Sequence, residues 1–391
     1  MRIVRPGTVG ILPAGALGVA FFYYLTDNLR AVDERVTFID RAGSASGLAL
    51  RARGLLRIAT EHGLESVTNL SIWKPDLLGC LEAGFLPEIV LVCTQPDQLL
   101  HVLAAEVRLL EQLHLAERLD PDAENLPTLV LCSNGIYFQR TRQFLLEKLE
   151  EATLLGRLPD LWPDLMPRLV AKLLRGVTIQ TGHREGSGAD AIYRPGPRGR
   201  TRLAGGDAWQ RGHCAQLLSE KGGWFEVASH ASPTRAEFDK ALVNLTVNLL
   251  GQLHAIDDAG RLRPLKVGEI LQGPLEDEAR VLTRRVVEIG RAVHAYEPEE
   301  NFETIFQTAL TSCREHIDHV PSSLQWIDQQ LRRGALQPRL TPTESWLVEP
   351  LIRYAHAAGL EDAAHYFEEL TLRVEHRLSL ATMRAGGSLT P

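Results

Sequence analysis

The stretch Thr8-Val9-Gly10-Ile11-Leu12-Pro13-Ala14-Gly15-Ala16-Leu17-Gly18, followed by Val19-Ala20-Phe21-Phe22-Tyr23-Tyr24-Leu25, decides how the first half of the chain folds. Thr8–Leu12 reads as a short buried strand, residues 13–18 as a tight turn, and the apolar run after Gly18 as a helix. Strand, glycine turn and helix together are the context a dinucleotide fingerprint, G-x-G-x-x-G, requires. Gly15 lets a backbone approach a pyrophosphate, and Gly18 lets the helix pack on the strand. The first glycine of the pattern is replaced by Pro13, which fixes φ, removes an N–H and pushes Leu12 toward extended geometry. Phosphate-facing amides are therefore expected from residues after Pro13, where the N–H groups of a starting helix are free to donate.

Working outward, Arg35–Asp40 reads as a second strand ending in Asp40-Arg41. At that position a carboxylate accepts from a ribose 2′-hydroxyl, whereas an Arg receives a 2′-phosphate. Ile89–Thr94 and Thr128–Cys132 are continuous apolar runs of the kind found in doubly covered parallel strands. They end in the polar turns Gln95-Pro96-Asp97 and Ser133-Asn134-Gly135, and open α/β sheets bind ligands at such carboxyl ends. Glu106 to Leu126 reads as helical. Thr181–Gly186 reads as a turn, and Ala191–Arg194 with Thr201–Ala204 as a hairpin around Pro195–Gly199. From Pro233 onward the pattern is helical. The reading is a Rossmann-type domain over residues 1–231 and an all-α domain over 232–391.

The second decisive stretch is Ala236 to Leu250, a helix without Gly or Pro. Lys240, Asn244 and Asn248 stand four apart, so they form one polar stripe on an otherwise apolar helix. A buried polar group without a partner costs roughly 1–3 kcal/mol, so such a stripe calls for partners. Only six of the 42 basic residues are Lys, and a Lys, unlike an Arg, loses its proton near neutral pH when desolvated. The plainer reading is a solvated face. Further on, Ser322 and Ser323 read first as helix caps, and Glu344 sits where an acid suits the first turn of a helix.

Composition limits the function. A net charge of −7 argues against general nucleic-acid binding and against an anionic membrane surface. No apolar run is long enough to span a bilayer. Five scattered Cys without a CxxC fit reduced thiols in a cytoplasm and give no metal signature.

These pieces, in this order, resemble the ketopantoate reductase (2-dehydropantoate 2-reductase) family over most of the chain. The family's turn ends in Gly-Ala-Leu-Gly, as in Gly15-Ala16-Leu17-Gly18. Its second strand ends in an Arg, as at Arg41, and a later strand ends in an Asn-Gly turn, as at Asn134-Gly135. Its helix motif Lys-Leu-x-x-Asn-x-x-x-Asn is matched by Lys240, Asn244 and Asn248. Its late Ser-Ser-Met-x-Gln-Asp and Thr-Glu-Ile segments are matched by Ser322-Ser323-Leu324-Gln325 and Thr343-Glu344-Ser345. Pro13, Asp40 and Gln95, where many members carry a Lys, are departures.

The resemblance implies a Rossmann-type NADP-binding domain and a helical domain of the 6-phosphogluconate dehydrogenase C-terminal type. It implies NADPH-dependent reduction of a 2-keto acid, foremost ketopantoate to pantoate. Gly15, Ala16, Leu17, Gly18, Arg41, Gln95 and Asn134 would hold the NADP. Lys240 would be the general acid with Glu344 its acidic partner. Asn244 and Asn248 would bind substrate hydroxyls, Ser323 its carboxylate, and Asn134 the substrate or the nicotinamide ribose. A homodimer is compatible with the sequence but not specified by it. Rival readings are a related or opine-type dehydrogenase on another keto acid, and a nucleotide-sensing protein without turnover.

Overall fold

The computed structural model describes residues 3–40, 47, 50, 52–68, 72–186 and 190–387. Packing divides the chain into two compact units: Met1–Asn134 with Phe138–Pro233, and Gly135–Tyr137 with Thr234–Pro391.

The strands of the first unit are β1 (Val4–Leu12), β2 (Val36–Ile39), β3 (Leu56–Thr60), β4 (Gly63–Val67), β5 (Trp73–Lys74), β6 (Leu86–Val92), β7 (Thr128–Leu131), β8 (Leu173–Thr178), β9 (Gly182–Glu185), β10 (Ile192–Pro195), β11 (Thr201–Gly205) and β12 (Phe225–Val227). Eight of them form one sheet in the order β12-β11-β8-β7-β6-β1-β2-β5. From β5 to β8 all neighbours are parallel. Numbering those six strands along the chain gives the order 3-2-1-4-5-6, the doubly wound arrangement of dinucleotide-binding folds. The sequence reading of an α/β parallel sheet followed by a helical region holds. β11 runs antiparallel to β8 and closes that side with β12.

Burial explains the apolar runs. Val9, Ile11, Val90, Leu91, Val92, Val130 and Leu131 are all fully enclosed, as expected of strands covered on both faces. The helix Ala16–Leu25 is apolar almost all round, with Val19, Ala20, Phe21, Phe22 and Leu25 buried. It packs against β1 on one side and against β9 and β10 on another, so it has no free face to make polar.

β9 and β10 belong to a second sheet, order β4-β3-β10-β9, which overturns two readings. Residues 182–185 are a strand rather than a turn, pairing antiparallel with β10. β10 and β11 are not a hairpin: β10 pairs with β3 and β9, whereas β11 lies in the large sheet. The Pro/Gly segment between them carries the chain from one sheet to the other. Gln180 holds that crossing, donating from Nε2 to the Pro197 carbonyl (3.1 Å) and accepting at Oε1 from Gly199 N–H (2.8 Å). The helix read through Leu126 is Pro96–Leu115. It stops where Glu117 takes a left-handed backbone (φ 52°), ahead of the Asp120 turn, whose carboxylate accepts from Asp122 N–H.

The second unit is built from helices. Pro274–Ala292 shows why: Ala279, Leu282, Val286 and Ile289 recur at three- and four-residue spacing and are buried, with Arg and Glu on the other side. Ala236–Leu250, read as one regular helix, is interrupted. An α-helix over Pro233–Asn244 passes into a π-helical turn, Leu245–Leu249, and back into an α-helix, Leu250–Ala255. The wider turn inserts an extra residue per hydrogen-bonded ring. Leu245, Leu249 and Leu250 thereby reach the core while Asn248 reaches a polar partner on another helix. Among the described residues no helix is long and apolar enough to cross a membrane.

Candidate active site

In the first unit the chain order reverses between β1 and β6, and such switch points are where α/β sheets bind ligands. Cys93 N–H donates to Leu12 O (2.6 Å), which holds the two strand ends together. The turn then follows the fingerprint despite Pro13. Gly15 N–H donates to Pro13 O (2.8 Å), and Gly15 itself is the extended N-cap of the helix, with φ −87° and ψ −176°. The first intrahelical bond runs from Val19 N–H to Gly15 O, so the N–H groups of Ala16, Leu17 and Gly18 face outward from the helix start. No side chain caps them and no acid lies in the first turn.

The two glycines do different work. A Cβ on Gly18 would sit 2.2 Å from the Pro13 carbonyl oxygen, so the close packing of turn on helix demands glycine there. A Cβ on Gly15 would meet nothing within 4 Å. Among the described residues nothing requires that glycine, and they leave the space over it open. This cradle fits a pyrophosphate at a helix N-terminus.

Beyond the ends of β1 and β2 lies a cavity of about 310 Å³, lined by Leu12, Asp40, Leu78, His101, Val102 and Arg108 among others. Asp40 directly follows β2, with its side chain wholly enclosed and both oxygens out of reach of solvent. A Cβ on Gly47 would fall 2.0 Å from Oδ1, so the carboxylate packs against that glycine. Arg41 lies outside the described residues. Gln95 is the exposed N-cap of Pro96–Leu115, and Asn134 is exposed at the carboxyl end of β7. The Arg175 guanidinium, almost fully buried, donates to Leu131 O (2.6 Å) and Ser133 O (2.7 Å) and so pins the strand end that presents Asn134.

In the second unit three segments distant in sequence converge on the π-helical turn. It packs against Pro274–Ala292, Ser322–Arg332 and Pro342–Ala357. Ser323 is buried and is not a cap: Pro321 holds the N-cap position, and Ser323 Oγ donates to Asn248 Oδ1 (3.0 Å). Ser323 N–H points at the same oxygen from 3.4 Å. Asn244 is buried and Lys240 half-buried; burial pushes the nearby Cys313 thiol up to about 12, against a smaller downward pull from the Lys240 ammonium. Glu344 is 1% exposed, and among the described residues its Oε2 has no hydrogen-bond partner. Burial pushes its carboxyl up to about 7, against a smaller downward pull from its own backbone N–H and from Gln252.

Two residues went unread in the sequence. Glu237, buried on the same helix, accepts Tyr137 N–H at both carboxylate oxygens (3.3 and 3.2 Å). Together with the bond from Ile136 N–H to Trp346 O (3.0 Å), it fastens residues 135–137 to the second unit. Gln252 is the other. It stands four residues beyond Asn248, so continuing the 240-244-248 spacing by one step finds it.

The Glu344 carboxyl makes a checkable prediction. Its folded pKa of about 7 lies above the ordinary carboxyl value of 4.5. Between those values the folded chain holds a proton the unfolded chain has lost, so this group's contribution falls as pH rises from about 4.5 to 7 and stays unfavourable above. Glu344→Gln is expected to stabilise the chain at pH 8 by on the order of 1–3 kcal/mol and to change little at pH 4.5. Denaturant unfolding at both pH values decides it. A variant that is less stable at pH 8 would show the carboxylate to be paired with a cation.

A scan against protein-family models and a search of curated proteins returned no match. Solved structures do match over nearly the whole chain. The ternary structure of D-mandelate dehydrogenase with NADH and anilino(oxo)acetate superposes with a TM-score of 0.61 at 17% identity, covering 95% of this chain and 99% of that one. A PanE/ApbA family ketopantoate reductase from Ralstonia eutropha JMP134 gives 0.57 at 16% identity, with coverage of 95% and 99%. The 2-dehydropantoate 2-reductase from Methylococcus capsulatus gives 0.53 at 18% identity, with coverage of 94% and 97%. The chain therefore has the fold shared by the ketopantoate reductases and D-mandelate dehydrogenase.

Proposed function

We propose that the chain is an oxidoreductase that reduces a 2-keto acid to a 2-hydroxy acid with a nicotinamide dinucleotide, 2-dehydropantoate being the first substrate to test. The observation that carries this reading is the convergence of Asn248, Ser323 and the buried Glu344 around one π-helical turn, on the helix that bears Lys240. Gly15, Ala16, Leu17 and Gly18 hold the pyrophosphate, with Gln95 and Asn134 at the neighbouring strand ends. When bound, the nicotinamide supplies the hydride.

The chain's own groups do the rest. Lys240 donates a hydrogen bond to the ketone oxygen and releases its proton as charge develops there. Glu344, titrating at about 7, is poised to restore that proton at neutral pH. Ser323 uses only the Oδ1 side of Asn248, so the two amide donors of Asn248 serve the substrate, together with Asn244. Incubation with each dinucleotide and a panel of keto acids, from 2-dehydropantoate to aryl-substituted ones, tests the reading. Dinucleotide binding without turnover of any of them would favour a sensor instead.

Of the two dinucleotides we expect NADPH to be preferred. The Asp40 oxygens are enclosed and packed against Gly47, so they are not presented to a ribose hydroxyl. Arg41 follows directly, and His101 and Arg108 line the adjoining cavity. kcat/KM should favour NADPH at least tenfold, a difference of ~1.4 kcal/mol, and Arg41→Ala should erase the difference. An NADH preference that persists in Asp40→Ala would defeat the role given to Arg41.

A further inference from the structure

Gln252 is completely enclosed in the second unit, and among the described residues neither its Nε2 nor its Oε1 has a hydrogen-bond partner. A carboxamide carries two donors and an acceptor with two lone pairs, so leaving all of them unmet in an apolar core is costly. Cores of this kind elsewhere in the unit are filled by Leu, Val and Ile. One neighbour is in the same condition. Glu344, on the helix Pro342–Ala357, is enclosed too, and its Oε2 also lacks a partner. The Gln252 carboxamide lies close enough to pull the Glu344 carboxyl back toward its ordinary range, though the pair has not closed to full hydrogen-bond geometry. Groups in unliganded sites often stand apart in this way and tighten when the reacting complex forms.

We infer that Gln252 is a positioning residue for Glu344, its Nε2–H donor holding the otherwise unmet oxygen of that carboxyl. The inference rests on the role proposed for Glu344. The π-helical turn links their elements: Leu245–Leu249 packs against the Glu344 helix and leads directly into the short helix bearing Gln252. A donor favours the ionised carboxyl, so Gln252 counteracts burial and keeps Glu344 able to give up its proton near neutrality. Without it a larger fraction of the carboxyl stays protonated near neutral pH and its proton is given up less readily.

The test is Gln252→Met, which keeps length and volume but removes both amide functions. In chains labelled with ¹³C at Glu carboxyls, the Glu344 resonance is assigned by its loss in Glu344→Gln and followed with pH. Its midpoint is expected to rise by about 0.5–1 unit in Gln252→Met, because hydrogen bonding to the charged form is lost. Folding stability at pH 6 should be unchanged or higher, since an unmet carboxamide has gone. With turnover in hand, kcat should fall about three- to tenfold with KM little changed, and the pH–rate profile should shift by the same interval. An unmoved midpoint, or a fall, overturns the inference; a fall would mean that Gln252 accepts from the protonated acid. If no keto acid is reduced, the function proposed above fails while the titration still decides on Gln252. If Gln252→Met does not fold, the wild-type Gln252 side-chain amide signals decide: they should shift at the Glu344 midpoint, and a pH-independent amide overturns the pairing.

Discussion

Lys240→Ala is expected to lower kcat by about 10²–10⁴-fold, the usual worth of a positioned general acid, while dinucleotide affinity and folding stay close to wild type. Lys240 sits on Pro233–Asn244, one helical turn before Asn244, and it is half-buried rather than part of the packed core. Phe238, Ala241 and Leu242 carry the packing of that helix, and all three are fully enclosed. Removing the ammonium therefore removes a charge from the polar row and leaves the apolar contacts in place. Lys240→Arg should not restore turnover. A guanidinium keeps its proton near neutral pH, and its planar fork does not fit a site shaped for a compact ammonium. Steady-state kinetics on the best keto acid, with dinucleotide Kd by calorimetry and unfolding curves, separate the outcomes. Near-wild-type turnover in Lys240→Ala would overturn the mechanism. Loss of folding would show the stripe to be structural.

The legible parts of the sequence were those where one local rule decides. β1, β6 and β7 announce themselves as apolar runs because both of their faces are covered. The strand, turn and helix around Gly15–Gly18 are read correctly through Pro13, since Pro13 suits a strand end and Gly18 the close packing of turn on helix. What stayed hidden was set by partners far along the chain. The strand Leu56–Thr60 pairs with Ile192–Pro195 across more than a hundred residues, and nothing in either segment names the other. Gly182–Glu185 looks like a turn in isolation, since Gly, His and Arg carry little strand propensity; pairing with β10 overrides that. The π-helical turn is hidden for a similar reason. Leu245-Thr246-Val247-Asn248-Leu249 satisfies an α-helical period as written, and only burial of Leu245 and Leu249 with the reach of Asn248 to Ser323 selects the wider turn. Ser323 illustrates the same point in one side chain. Its sequence position suggests a cap, whereas its hydroxyl is committed to Asn248, 75 residues away.

Gly15 and Gly18 are expected to respond in opposite ways to the same added methyl group. In Gly18→Ala the new Cβ meets the Pro13 carbonyl oxygen at 2.2 Å and Ile11 Cγ2 at 3.0 Å. The first contact is to backbone that is itself held, because that oxygen already accepts from Gly15 N–H. The helix must move off β1 or the turn must open, and overpacking of this kind costs about 1–3 kcal/mol or more. The variant should be measurably less stable, with dinucleotide binding lost as a consequence of the altered turn. In Gly15→Ala the methyl group meets no atom of the described residues within 4 Å, and the backbone there (φ −87°, ψ −176°) suits alanine. Stability should change by less than about 1 kcal/mol, the cost of a poorer N-cap residue. The methyl instead occupies the open space over the helix start, where the pyrophosphate is proposed to lie. Dinucleotide Kd is therefore expected to rise by at least tenfold, about 1.4 kcal/mol, without loss of fold. Calorimetric titration of both variants, alongside their unfolding curves, distinguishes the two roles. Equal affinity in a folded Gly15→Ala protein would place the pyrophosphate elsewhere, and full stability in Gly18→Ala would mean that the turn yields where the structure shows it closed.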